Sequence, residues 1–154
     1  MSASGVALVD TNILLRLLQP QHPQYSIAGA AVAELRKQRV DLCVAPRNLV
    51  ELWVVATRPV ANNGLGLSPP TIAGELRALN SLFRLLEGKS EVAAAWETLV
   101  GKHLVSGKLA HDAHLVAVMQ IYALTNLLTF NIADFQRYSG ITVLDPAQFR
   151  GLPL

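Results

Sequence analysis

The chain has 154 residues, 51% of them hydrophobic and 16% charged, with a formal charge of +2. That is enough for one domain with a substantial core, roughly 68–70% of the unfolded surface being buried at this size, and it excludes a disordered or low-complexity chain. The modest basic balance is compatible with an anionic partner but is not a nucleic-acid-binding stripe: its densest cluster, Arg36-Lys37-Gln38-Arg39, reads as the solvated end of a helix.

No run of 18 apolar residues is present and the first residues lack a signal-peptide pattern, so no membrane span is expected and the cytoplasm is the expected compartment. A single cysteine, Cys43, lies in an apolar run and reads as an inert buried thiol.

In chain order, residues 6–9 read as a short buried strand that stops at Asp10-Thr11-Asn12. A helix follows over 12–18 with Asn12 as its cap, and a second over 24–39 with Ile27, Ala31 and Leu35 on its buried stripe. Residues 41–45 form the next strand, and Pro46 opens a helix that Arg58-Pro59 stops. The stretch 62–70, with two glycines and two prolines, is expected to be a loop and a candidate mobile flap.

A helix over 70–80, a strand at 83–86 and a Ser90-capped helix to 103 come next. Residues 108–122 read as a helix apolar nearly all round, carrying His111-Asp112-Ala113-His114 near its start. Strands at 126–129 and 141–144 complete the alternation, which implies a parallel sheet covered on both faces in a single domain over 1–154.

Eleven acidic residues are present, and four stand where stability alone would not put them. Asp10 ends an apolar strand, Glu51 interrupts an apolar helix, Asp112 opens a buried helix and Asp134 follows a strand by one turn. In an open α/β sheet the crevice beyond the carboxyl ends of the strands is where ligands bind, and Asp10 and Asp134 fall on that edge.

Converging carboxylates require a cation, and an all-oxygen set suits Mg²⁺ or Mn²⁺ rather than zinc. Such ions activate water against a phosphodiester, so that no protein nucleophile is needed. Each acid also has a structural reading. Asp10 caps the next helix, Glu51 pairs with Arg47 or Arg58, Asp112 is a first-turn helix acid, and Asp134 completes a box capped by Asn131.

Thr11, Asn12, Thr129 and Asn131 adjoin the acids and are candidates to orient carboxylates or water, capping being the other role for the asparagines. His111 and His114 lack a further His or Cys at useful spacing and read as packed or hydrogen-bonding histidines, with a phosphate contact by His111 as the second reading. Arg47, Lys108 and Arg137 lie near the acidic motifs in sequence, as phosphate contacts or as solvated surface.

The segments Val9-Asp10-Thr11-Asn12, Asn48-Leu49-Val50-Glu51, His111-Asp112-Ala113-His114-Leu115 and Leu128-Thr129-Phe130-Asn131-Ile132-Ala133-Asp134-Phe135, in this order, resemble the PIN domain, in particular VapC-like toxins. The resemblance implies a three-layer α/β/α domain with a five-stranded parallel sheet and a Mg²⁺- or Mn²⁺-dependent ribonuclease. It implies Asp10, Glu51, Asp112 and Asp134 as the metal site, with Asp10 and Asp112 as direct ligands and Thr11, Asn12, Thr129 and Asn131 in support.

A homodimer and a small antitoxin whose tail enters the acidic groove are also implied. A degenerate PIN-like RNA-binding or scaffold module, or a stand-alone RNA-processing nuclease, is the alternative. Phosphatases of the haloacid dehalogenase type want an acid at position 12, which is Asn, and a receiver domain wants a further acidic pair and a late lysine; neither pattern is met.

Overall fold

The computed structural model describes residues 5–149. Five short strands, β1 (Val6–Val9), β2 (Asp41–Val44), β3 (Arg84–Leu85), β4 (Asn126–Leu128) and β5 (Thr142–Leu144), form one sheet in the order β3-β2-β1-β4-β5. Every neighbouring pair is parallel. The connections carry the helices α1 (Thr11–Leu17), α2 (Tyr25–Lys37), α3 (Pro46–Thr57), α4 (Pro69–Leu82), α5 (Glu91–Lys102) and α6 (Leu109–Ile121). The expected three-layer α/β/α architecture is therefore present.

The pleat sorts the core into two halves. Ala7, Val9, Leu42, Val44, Leu128 and Leu144 face one side, against α1 to α4. The alternate residues Leu8, Cys43 and Leu127 face the other, against α5 and α6. Buried on both faces, these strands need continuous apolar runs, which is why their sequences show no polar alternation. Helix α6 is buried from Leu115 through Met119 without a break, as its all-round apolar sequence requires. Among the described residues no helix is long and apolar enough to cross a membrane.

Cys43 is wholly buried, its thiol donates to the Ala7 carbonyl at 3.4 Å, and burial pushes its pKa up to about 11. The thiol is thus kept protonated and unreactive. The cluster at the end of α2 is exposed at Arg36, Lys37 and Arg39, in line with the solvated helix end expected there.

The stretch 62–70 departs from the flap expected of it. A 3-10 turn at Val60–Asn62 leads into a segment pinned along the end of α3: the amides of Leu65, Gly66 and Leu67 donate to the carbonyls of Val55, Arg58 and Ala56 at 3.0, 2.9 and 2.8 Å. Leu65 and Leu67 pack against the core. The glycines allow close approach here, not mobility; a Cβ on Gly64 would stand 1.9 Å from the Arg58 carbonyl oxygen. Gly64→Ala should accordingly cost about 1–3 kcal/mol. Gly29→Ala, inside α2 with nothing within 4 Å of the added carbon, should stabilise by about 0.4–1 kcal/mol. Urea unfolding midpoints of the two variants check both signs.

Candidate active site

The chain leaves β1 for β2 and β3 on one side and returns to place β4 and β5 on the other. The strand order thus reverses between β1 and β4, where a crevice opens beyond the carboxyl ends of the strands. Asp10 and Thr129, the residues immediately after those two strands, form its floor.

The Asp10 amide extends the sheet by donating to the Leu128 carbonyl at 3.0 Å. The residue is only 6% exposed, and its carboxylate accepts from three groups. These are the Thr11 amide at 2.7 Å on one oxygen, and the Thr129 hydroxyl at 2.8 Å and Asn12 Nδ2 at 3.4 Å on the other. Burial raises the Asp10 pKa; the bonds from Thr129 and Thr11 oppose that, Glu51 adds to it and Arg47 reduces it.

Asp10 is also the N-cap of α1. The cap expected at Asn12 therefore lies two residues earlier, because the Asn12 side chain is spent elsewhere. Its Nδ2 donates to Thr129 Oγ1 at 3.1 Å and its Oδ1 accepts from the Phe130 amide at 3.2 Å. Thr129 Oγ1 takes a further bond from the Asn131 amide at 3.0 Å, so one buried hydroxyl ties three segments together.

Helix α3 forms a second wall. Asn48 and Glu51 share a face by three-residue spacing, and both reach Thr11: Asn48 Nδ2 donates to Thr11 Oγ1 at 3.0 Å, which itself donates to Glu51 Oε2 at 2.9 Å. Asn48 is fully buried and its Oδ1 accepts from the Ala45 amide at 2.8 Å, closing the N-terminus of α3. The sequence sets Asn48 beside Glu51 without giving it a task; its signal is an amide beside a carboxylate on a mostly apolar helix.

Glu51 also makes the structural pairing weighed for it, an ion pair with Arg47 one turn earlier. The same guanidinium lies 2.8 Å from His111 Nδ1 on α6.

Asp112, in the first turn of α6, makes no hydrogen bond among the described residues. Burial first, then the charges of Asp10, Asp134 and Glu51, push its pKa up to about 6, with Arg47 opposing them. Asp134 sits in the 3-10 turn Ile132–Phe135; Asn131 precedes that turn but its side chain caps nothing.

All four acids line one cleft of about 790 Å³, together with Thr11, Asn12 and Asn131. Thr129 lies buried beneath it. His111, Lys108 and Arg58 are on its wall, whereas Arg47 and Arg137 are not part of the lining. His114 lies off the cleft, in a second depression. Among the described residues no three carboxylate, imidazole or thiol groups stand close enough together to hold one ion between them. The acids ring the cleft rather than converge.

The sequence matches the family model of the PIN domain over residues 7–141. The chain belongs to the PIN domain family. No curated protein matches it. Among solved structures, this PIN domain is similar to a toxin–antitoxin complex from Klebsiella pneumoniae, at 22% identity and a TM-score of 0.62, covering 91% of this chain and 97% of that one. It is similar also to FitAcB of Neisseria gonorrhoeae, at 20% identity and 0.67, covering 91% and 97%. VapC20 of Mycobacterium tuberculosis, a sarcin–ricin-loop-cleaving toxin, matches at 17% identity and 0.61, covering 84% and 95%. At these identities the likeness is one of fold.

The raised acids give this PIN domain a definite pH response. A carboxyl whose folded pKa lies above its unfolded value binds more protons folded than unfolded, so stability is greatest below the unfolded pKa and falls as pH rises through the folded one. For Asp112 that window runs from the ordinary carboxyl value of 3.8 to about 6, and Asp10 adds a loss of the same sign. Protein held in EDTA should therefore lose stability between about pH 4 and pH 6, and Asp112→Asn should flatten the decline. Thermal melts across that range measure it.

Proposed function

We propose that this PIN domain is a Mg²⁺- or Mn²⁺-dependent endoribonuclease, acting in the cytoplasm as the toxin of a VapBC-type pair. The observation that carries the reading is the ring of Asp10, Glu51, Asp112 and Asp134 around one cleft at the sheet's switch point, with Asp112 raised to about 6 partly by the other three carboxylates.

The donor set fits the ion. It is all oxygen, as hard cations require, and Mg²⁺ keeps several waters while using one or two carboxylates directly, which suits acids that ring a cleft. A carboxylate offers about four acceptor positions; Asp10 uses three and Asp112 uses none. These two are the direct ligands in this reading, with Glu51 and Asp134 acting through water. When bound, such an ion lowers the pKa of a water and stabilises charge on the leaving oxygen of the phosphodiester.

The chain's own groups do the positioning. Thr129, Asn12 and the Thr11 amide fix the Asp10 carboxylate in one orientation, and Thr11 holds Glu51 toward the cleft from the opposite wall. Lys108 and Arg58 present cations on the same lining, where the phosphates on either side of the scissile bond would meet them.

Support for an antitoxin partner comes from the neighbours: the Klebsiella structure is a toxin–antitoxin complex. The exposed valines of α3, Val50 at 63% and Val54 at 51%, adjoin the cleft and give a second chain, antitoxin or second copy in a homodimer, an apolar surface to cover.

A labelled RNA panel with Mg²⁺ or Mn²⁺ should be cleaved, EDTA should abolish cleavage, and Asp10→Asn should slow it on the order of a hundredfold or more. Metal-independent cleavage, or full activity in Asp10→Asn, overturns the mechanism. RNA binding without cleavage would instead support the scaffold reading. For the toxin role, expression should arrest growth, and co-expression of a small protein encoded beside the gene should relieve the arrest and co-purify with this chain.

A further inference from the structure

We infer that Arg47 is a built-in counter-ion that competes with the divalent cation for Glu51, and so sets the affinity of the cleft for that cation from within the chain. The inference rests on the metal-dependent reading above and assigns one residue of that site a task.

Arg47 stands one turn before Glu51 on α3, and its guanidinium links two residues of the cleft lining, Glu51 on α3 and His111 on α6. One nitrogen, Nη2, serves both the Glu51 carboxylate and, at 2.8 Å, His111 Nδ1 on α6. Both oxygens of Glu51 are engaged in this arrangement. Oε1 carries Arg47, with His111 Nδ1 at 3.7 Å, and Oε2 carries the Thr11 hydroxyl at 2.9 Å. A divalent ion drawn to Glu51, directly or through water, meets the Arg47 charge already on Oε1, and that pair is the one a second positive charge replaces in kind.

The hold of Arg47 is also incomplete. Its side chain is only 17% exposed, yet Nε is buried without a hydrogen-bond partner. A guanidinium has five N–H donors, and leaving one buried and unpaired is unfavourable. Arg47 itself lines a second cleft of about 370 Å³, with Lys89, His114 and Tyr122 among others, and reaches the acidic one only through Glu51 and His111. Its field reaches further than Glu51, since it favours the ionised forms of Asp10 and Asp112 as well.

The test is Mn²⁺ binding to full-length, EDTA-stripped protein, followed by the electron paramagnetic resonance signal of free Mn²⁺ at pH 8, with circular dichroism checking the fold. Arg47→Gln should bind Mn²⁺ on the order of tenfold more tightly, the equivalent of about 1.4 kcal/mol. Arg47→Lys, which keeps a charge on Glu51, should return the affinity to within about twofold of the unsubstituted protein. In a Glu51→Gln background the gain from Arg47→Gln should shrink to less than half, because the two effects are coupled.

His111→Ala removes an exposed anchor of Arg47 and should tighten binding about two- to threefold; it carries the test if Arg47→Gln does not fold. Unchanged or weaker binding in folded Arg47→Gln overturns the inference while leaving the metal reading intact. Absence of Mn²⁺ binding in every folded variant overturns both. Binding by Arg47→Gln alone supports both.

Discussion

The hydrogen bond from Thr129 to Asp10 joins the ends of the two strands between which the sheet changes direction. Without it the crevice has no fixed floor, since a carboxylate buried at the end of β1 is costly unless donors hold it. Thr129 supplies one, the Thr11 amide and Asn12 supply the others, and Asn12 also holds the chain leaving β4 through the Phe130 amide. The same few polar atoms thus secure a strand end, start a helix and aim a carboxylate. Helix capping and the aiming of a carboxylate into the crevice, rival readings of Asp10 in the sequence, describe one set of bonds.

From that floor the charge pattern follows. Burial and three neighbouring acids make Asp112 reluctant to ionise, and the fold carries this cost rather than relieving it with a partner. Structure for its own sake would place a cation or an apolar side chain there. Strongly perturbed groups sharing a cleft are the pattern that functional sites produce. Arg47 is the cation that eases this, answering Glu51 directly and Asp10 and Asp112 through its field.

Much of this was legible in the sequence for physical reasons. Uninterrupted apolar strands identify a sheet covered on both faces, and acids that break apolar runs stand out when charges are scarce. Less legible was everything that depends on side chains meeting across the fold. Asn12 looks like a helix cap until Thr129, distant in sequence, claims its amide. Residues 62–70 look mobile because glycine marks both flexible loops and tight backbone approach, and only the packing of Leu65 and Leu67 separates the two. Likewise Arg47 is an ordinary one-turn partner of Glu51 in the sequence; its second contact, with His111, exists only once α3 and α6 face each other.

The separation in sequence of Asp10 and Thr129, 119 residues, has a consequence for how the molecule comes into being. The first strand made occupies the middle of the sheet and waits for β4 before its second edge is paired. Closing so long a loop comes late and slowly in folding. A chain with β1, β2 and their helices in place already presents Asp10 and Glu51, but it lacks Thr129 to fix the first and both remaining acids. The acidic ring is consequently a product of the finished topology, and a partly folded chain offers no working version of it.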